Sequence, residues 1–444
     1  MKKLFISMGV SVLIFFIANT VFNVQHSTLL ALIVFLVILW TNEALPIGVV
    51  SLLPILLFPT FDIMSTNATS INYSKSIIFL FLGGFMIAIA TQKTSLHKYV
   101  SNKLLTVFPN TPRGIIFSLA VTSAFLSSLI SNTTTALLLI PIAMYLTEND
   151  KFKVRLVLAI AYGASIGGIV TPIGTPPNLI LLGFMEQHSL EPVAFVQWIL
   201  LTGPLAAIML IMIPFILSIG VGDVHIDKEL QDKGHLSSEQ KRLMIILGTL
   251  IVLLFANSKI EPYYMGLGLD EKGILLGYGL LMFMPKIGFL TWEDTKKVPY
   301  EIIFLFGAGF SIAAAFSSTG LANAIAQHLL SLTNMPVILL ILIVASLITF
   351  TTEVTSNTAL ISIALPIIYS LSQSANIDSG LILFVATICA SYAFMLPIAT
   401  PPNAIAMSSG AVKVKDMAKF GLVFNILGIL SITAIALLYW QYYL

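Results

Sequence analysis

Two short polar motifs occur twice in an otherwise apolar chain. Ser-Asn-Thr stands at 131–133 and again at 356–358, and Thr-Pro-Pro-Asn at 175–178 and again at 400–403. A small carboxylate or oxyanion that leaves water for a membrane interior must find other hydrogen-bond donors. No lysine or arginine lies within these segments, so the donors on offer are neutral: the amides of Asn132 and Asn357 and the hydroxyls of Thr133 and Thr358. A helix that restarts after a break adds free N–H groups and the positive end of its dipole. Carbonyls released at a break, with Ser and Thr hydroxyls, suit a hard cation such as sodium. The motifs therefore carry the chemistry of an anion bound beside cations, which lowers the charge cost of moving either across a membrane.

The motifs belong to a longer duplication. At a constant offset of 225 residues, Phe79-Leu80-Phe81 becomes Phe304-Leu305-Phe306, Gly84-Phe85 becomes Gly309-Phe310, Pro141-Ile142 becomes Pro366-Ile367, and Pro172-Ile173 becomes Pro397-Ile398. No gap interrupts this correspondence over about 100 residues. Apolar bias explains matched Phe and Leu but not matched Ser-Asn-Thr and Thr-Pro-Pro-Asn. Membrane carriers are commonly built from such halves, with the site where Gly/Pro-interrupted segments face each other. Proline removes an amide donor and clashes with the preceding turn, so paired prolines are expected to unwind the helix where they stand. Irregular backbone at membrane depth persists only inside protein or beside water, so these breaks should line a cavity.

The elements that must position the motifs are membrane helices. The chain is 57% hydrophobic and 9% charged over 444 residues, against roughly 25% charged for a soluble domain. Apolar runs recur throughout, each crossing needs about 20 such residues, and the length allows roughly ten to twelve. The segments are long and do not alternate, which excludes an outer-membrane barrel. The fold class expected is all-α: a polytopic bundle of two inverted repeats of about five spans, an extra N-terminal helix, two re-entrant hairpins and two broken helices. Residues 1–22 form the N-terminal transmembrane helix and 28–219 the first repeat. Residues 220–241 form a polar cytoplasmic loop and 242–444 the second repeat. The predicted spans are 3–22, 28–41, 44–59, 76–92, 154–185, 194–219, 242–257, 272–288, 299–317, 379–410 and 418–440. With the N-terminus inside and both Ser-Asn-Thr segments as hairpins, 19 of the 22 basic residues are cytoplasmic and only Lys75, Lys259 and Lys272 lie outside. A full crossing at the first hairpin would put Lys151, Lys153 and Arg155 outside. Five spans separate each element from its copy, which makes the repeats inverted and lets one hairpin open from each side.

Other signals exclude other functions. The single cysteine, Cys389, rules out intrachain disulfides and a Cys-based metal site. A net charge of +2 without a basic tail gives no nucleic-acid partner. There is no P-loop. Gly163-Ala164-Ser165-Ile166-Gly167 fits a nucleophile-elbow pattern but sits in an apolar helical run rather than at a strand-to-helix turn. The six histidines, His225 among them, show no ligand spacing. Glu43 and Glu353 stand in apolar surroundings, where an ionisable side chain suggests function. Glu353 is read first as a structural hydrogen-bonding group and second as a proton-coupling one.

Two Ser-Asn-Thr tips, each followed 43 residues later by a Gly/Ala-Thr-Pro-Pro-Asn break, resemble the divalent anion/sodium symporters, the carriers of dicarboxylates, citrate and sulfate. The resemblance covers nearly the whole chain. It implies eleven spans with two re-entrant hairpins, a homodimer in the inner or plasma membrane surrounded by lipid, and elevator-type transport. It places a first sodium site on Ser127, Ser131, Asn132 and Gly174, and a second on Thr352, Ser356, Asn357 and Ala399. Each of these pairs also obeys the 225 offset. Substrate contacts would come from Asn132, Thr133, Thr175, Asn357, Thr358, Thr400 and Pro401. The expectation is sodium-coupled symport of a C4-dicarboxylate such as succinate, malate or fumarate, with no enzymatic activity. The alternatives are a sulfate or citrate symporter, or a sodium-independent dicarboxylate exchanger of the same fold.

Overall fold

The computed structural model describes residues 2–42, 44–105, 107–221, 235–258, 264–328, 335–375 and 377–444. Glu43, His225, Lys228, Lys233, Lys259 and most of the 220–241 loop lie outside the described residues. Among the described residues regular structure is helical. The N-terminal group is α1 (Lys2–Ala18), α2 (Val24–Asn42), α3 (Ile47–Thr60) and a short α4 (Thr66–Ser70). Then come α5 (Ser76–Lys93), α6 (Leu96–Leu105), α7 (Pro112–Ser127), α8 (Asn132–Leu146), α9 (Asp150–Gly168), α10 (Pro176–Gln187) and α11 (Phe195–Leu217). The second half holds α12 (Ser238–Asn257), α13 (Glu271–Leu281), α14 (Tyr300–Thr319), α15 (Leu321–His328), α16 (Val337–Thr352), α17 (Asn357–Ala375), α18 (Ser379–Ala390), α19 (Pro401–Ser408) and α20 (Val414–Leu438).

Helix boundaries keep the 225 offset. The limits of α7 fall on those of α16, and the starts of α6, α8 and α10 fall on those of α15, α17 and α19. The same local chemistry sets both copies. Ser131 caps α8 by accepting the N–H of Thr134 at 3.2 Å. Pro176 and Pro401 each occupy the first position of a new helix, where the missing N–H would have been unpaired anyway. The paired prolines therefore start helices rather than unwind them, contrary to the sequence-based expectation. The irregular backbone precedes them, at 169–175 and 391–400. The short α4, α6 and α15 were not anticipated; they interrupt segments that composition alone reads as loops or span ends.

Among the described residues, six helical stretches are long and apolar enough to cross a bilayer alone: Val24–Asn42, Thr66–Lys93, Phe195–Leu217, Tyr300–Thr319, Asn357–Ala375 and Val414–Tyr442. The hairpin arms α7, α8 and α16 have 16, 15 and 16 residues, short of the roughly 20 that a crossing needs. The fourth arm, α17, has 19.

Helix packing separates two groups. One small apolar core joins α2, α3, α14 and α15 through Leu29, Leu36, Val50, Phe58, Ala308 and Phe316. The larger core contains α7 to α11 and α16 to α20. The tightest seam there is α7 against α9: a Cβ on Gly167 would lie 2.1 Å from the carbonyl oxygen of Ala124, and one on Gly163 2.5 Å from that of Ala120. The Gly163–Gly167 segment is thus a small-residue helix contact. Ser123 and Ser127 reinforce it by donating to the carbonyls of Ile160 and Ala164, each at 2.7 Å. Across the halves, α19 packs on α8 and α9, while α10 packs on α17 and α18. Each helix that follows a break is seated on the hairpin of the other half.

Candidate functional site

In the first half, α7 ends and α8 begins around 128–131. Ser127 donates to Oδ1 of Asn132, and a Cβ on Gly168 would stand 3.0 Å from the Asn132 amide. Gly174 lies against the carbonyl of Gly168, where a Cβ would approach to 2.4 Å. Ser127, Asn132 and Gly174 are therefore one cluster, linked through Gly168. Ser131 Oγ is 2.8 Å from Thr134 Oγ1 at the exposed edge of this tip. In the second half, Thr352 donates to Oδ1 of Asn357 at 2.6 Å and to the Ala390 carbonyl at 2.9 Å. The Ser127 and Thr352 networks match in kind, hydroxyl to the amide oxygen of the equivalent Asn and hydroxyl to a break-helix carbonyl, although the carbonyl in the second half, Ala390, lies one residue beyond the 225 offset from Ala164.

The breaks are stapled by the last residue of each Thr-Pro-Pro-Asn motif. Asn178 Nδ2 donates to the carbonyls of Gly168 at 3.1 Å and Thr171 at 2.9 Å. Asn403 Nδ2 donates to those of Ala393 at 3.0 Å and Leu396 at 3.1 Å, the equivalent positions. In the first break Trp198 Nε1 holds the Ile169 carbonyl at 2.8 Å and Thr202 holds that of Val170 at 3.2 Å. Sequence reasoning anticipated free carbonyls in the breaks; those of Ile169, Val170, Thr171, Ala393 and Leu396 are taken up instead, because a buried carbonyl without a donor is costly. Among the described residues no hydrogen bond reaches the carbonyls of 172–174 or of 397–399. These two stretches, again 225 apart, are among the carbonyls left without a donor and so open to a cation.

The donors expected for an anion are also unspent. The Asn132 and Asn357 side chains accept from Ser127 and Thr352 through oxygen, which leaves their NH2 groups free to donate. Asn132 and Thr133 are half-buried, as is Asn357, and Thr358 is buried. Asn132 opens α8 and Asn357 opens α17, while Thr175 and Thr400 cap α10 and α19. All four thus sit at helix N-termini, where backbone N–H groups are unpaired and negative charge is favoured. Thr400 Oγ1 accepts from Asn403 N at 3.4 Å, whereas Thr175 makes no capping bond. Pro401 is exposed at the start of α19. No hydrogen bond joins the two tips directly among the described residues; they are coupled through the α8–α19 and α10–α17 contacts. Ser356 is half-buried with no side-chain bond to its neighbours, and Ala399 is fixed by its N–H to the Leu396 carbonyl at 3.2 Å.

Sequence reasoning left Glu353 open. It is 3% exposed and accepts hydrogen bonds from the backbone N–H groups of Phe394 at 2.8 Å, Met395 at 2.9 Å and Leu396 at 2.9 Å, and from Asn425 Nδ2 at 2.7 Å. It organises the second break, which explains why α18 stops at Ala390, before the prolines. Asn425, 72 residues away on α20, and the Trp198 and Thr202 contacts from α11 carry no local sequence signal. Asn178 and Asn403 could have been found as the invariant ends of a duplicated motif.

Comparison with known proteins agrees with this arrangement. The profile of CitMHS, described as citrate transporter, matches residues 30–390. The sodium-dependent dicarboxylate transporter SdcS of Staphylococcus saprophyticus is 30% identical over 438 residues, covering 91% of this chain and 84% of that protein. SdcS of Staphylococcus aureus is 31% identical over 436 residues with the same coverage. In fold, the chain is similar to the Neisseria gonorrhoeae transporter MtrF, with a TM-score of 0.62 at 12% identity over 96% of this chain and 97% of that one. It is also similar to the Alcanivorax borkumensis transporter YdaH, with a TM-score of 0.59 at 14% identity over 84% and 87%. With duplicated helix-capping motifs, broken helices and near full-length relatives in agreement, the chain belongs to the citrate and dicarboxylate transporter family, the divalent anion/sodium symporters, and is a multi-pass membrane transporter rather than an enzyme.

Proposed function

We propose that this protein is a sodium-coupled symporter of a C4-dicarboxylate such as succinate, malate or fumarate. The observation that carries the reading is the paired division of labour at each tip. Unspent donors of Asn132, Thr133, Asn357 and Thr358 stand at helix N-termini, and unspent carbonyls of 172–174 and 397–399 stand in the adjoining breaks. The donors would bind the two carboxylates, with Thr175, Thr400 and Pro401 completing the wall. Sodium would sit between Ser127, Ser131, Asn132 and the Gly174 carbonyl at one tip, and between Thr352, Ser356, Asn357 and the Ala399 carbonyl at the other. The names of the Staphylococcus relatives, sodium-dependent dicarboxylate transporters, support this cargo and this ion.

The two halves act as inverted repeats, with the N-terminus cytoplasmic. The α7–α11 and α16–α20 group moves as a unit against the remaining helices, as in an elevator, and two copies form a homodimer. The separate small core of α2, α3, α14 and α15 supports a scaffold built on those helices, while the larger core also takes in α5, α12, α13 and Phe306 and Phe310 of α14, where the moving group would slide. A citrate symporter is the second reading, favoured by the description of the matching family. Uptake of labelled succinate into liposomes, with and without an inward sodium gradient, tests the proposal. Sodium-driven accumulation is expected. Succinate counterflow without sodium dependence would leave exchange as the activity, and citrate uptake without succinate uptake would leave citrate as the cargo.

A further inference from the structure

Among the differences between the two tips, one linked pair of positions brings a charge to only one of them. Ser128 and Glu353 are equivalent across the offset, and so are Thr171 and Leu396. Both halves tie this pair together, but with opposite polarity. In the first half the break supplies the side chain: Thr171 Oγ1 donates to the backbone carbonyl of Ser128 at 2.6 Å. In the second half the tip supplies it: Glu353 Oε2 accepts the backbone N–H of Leu396 at 2.9 Å. The first tie is neutral and the second brings a carboxylate.

That carboxylate is an acceptor at every contact. Oε1 takes the N–H groups of Phe394 and Met395 and the amide of Asn425, and Oε2 takes Leu396. A protonated carboxyl would need one oxygen to donate, and each of its partners here is a donor; the arrangement is that of the anion. Among the described residues no lysine or arginine forms an ion pair with it. A buried carboxylate without a basic partner at membrane depth is a candidate functional charge, and a bound cation is the partner that would offset it. It stands next in sequence to Thr352, and its partner Leu396 accepts the N–H of Ala399; both neighbours belong to the second cation set.

We propose that Glu353 is the fixed counter-charge of the second cation site, and that this makes the second site the tighter of the two. The inference rests on the sodium-symporter reading above. At the first tip a cation meets only dipoles, because Ser128 brings no charge. At the second it meets dipoles and a full negative charge held in place by four N–H donors. Unit charges a few ångströms apart in a partly buried site interact strongly enough to change affinity by about tenfold or more.

The test is thermal stability of the purified full-length protein titrated with sodium alone, choline replacing it to hold ionic strength. Wild type should show a stepwise rise in melting temperature with tight and weak components; no rise would sink the sodium reading itself, and this inference with it. Glu353→Gln removes the charge but keeps size and acceptor oxygen, and should raise the tight midpoint about tenfold or more. Asn425→Ala removes one strut and leaves the charge, and should move that midpoint by less than about threefold. An unchanged midpoint in Glu353→Gln overturns the proposal, and so does an equal shift in both variants, which would make Glu353 a strut. Should Glu353→Gln fail to fold, two other variants decide: Thr352→Ala should abolish the tight component and Ser127→Ala the weak one. The reverse assignment, or equal effects, overturns it.

Discussion

Among the described residues, the Thr133 and Thr358 hydroxyls make no hydrogen bond beside the first turn of a helix, and that is the expected state of a donor awaiting a carboxylate. Thr133→Ala and Thr358→Ala should each weaken succinate binding by roughly ten- to a hundredfold, since a hydrogen bond to a charged group contributes about 1.5–3 kcal/mol. Isothermal titration of the purified variants checks this, and unchanged affinity in both would remove the tips from the anion site. Gly174 and Ala399 are equivalent in sequence but not in space. A Cβ at 174 would come within 2.4 Å of a backbone oxygen, whereas 399 already carries one. Gly174→Ala should therefore push the first break off its acceptor geometry and weaken sodium-dependent uptake severalfold. Ala399→Gly should change it by less than twofold, and equal losses in the two variants would contradict this account.

Among the elements, the α7–α9 seam is where the first hairpin is held. With Gly167 at 2.1 Å from the Ala124 carbonyl by its virtual Cβ, no side chain fits without moving a helix. Gly167→Leu should prevent stable assembly, read as loss of a monodisperse peak in detergent, while Gly203→Leu, where nothing lies within 4 Å, should not. A second element-level tie lies at the end of α5. Lys93 Nζ meets Asp294 Oδ2 at 2.6 Å, and Thr291 adds its N–H at 2.9 Å. The Lys93 hydrogen bond, with that of Thr291, holds the Asp294 carboxyl well below its usual 3.8. A depressed acid stabilises the fold fully above its unfolded value, and the contribution fades only as pH falls through the lower folded value. Asp294→Asn should therefore lower the melting temperature by a similar amount at pH 7 and at about pH 5, with the gap closing only below about pH 4. Lys93 is partly exposed, so the contribution is at most about 1 kcal/mol. A gap that closes at pH 6 would assign the effect to another group.

On the scale of the whole molecule, the proposed re-entrant hairpins would fix which segments share a side. Three of the four arms are too short to cross, so the start of α9 at 150–155 should lie on the same side as 93–113. A cysteine at position 151 in a Cys389→Ser background should resist an impermeant maleimide in intact cells and react after permeabilisation. Efficient labelling in intact cells would exclude the hairpin. Under the proposed sharing of Asn132 and Asn357 by sodium and anion, each should raise the affinity of the other by the same factor. Succinate titrations at several sodium concentrations and fixed ionic strength measure that factor; a value of one would separate the two sites and favour exchange.

The duplicated motifs and the helical class were legible in the sequence, because each depends on local chemistry. Serine caps, prolines that can only begin a helix, and apolar runs of membrane length act within a few residues of themselves. The breaks were expected at 171–178 and 397–403; that the second begins as early as residue 391 was not legible. Residues 391–396 look able to continue α18, and they leave it because Glu353, some 40 residues earlier in the chain, and Asn425, some 30 later, compete for their backbone N–H groups. Likewise the first break loses the carbonyls of 169–171 as free acceptors because Trp198, Thr202 and Asn178 reach them. Which polar groups remain unspent depends on every partner within reach in three dimensions. Local sequence therefore determined which residues could bind, and tertiary packing decided which of their donors and acceptors were left to do so.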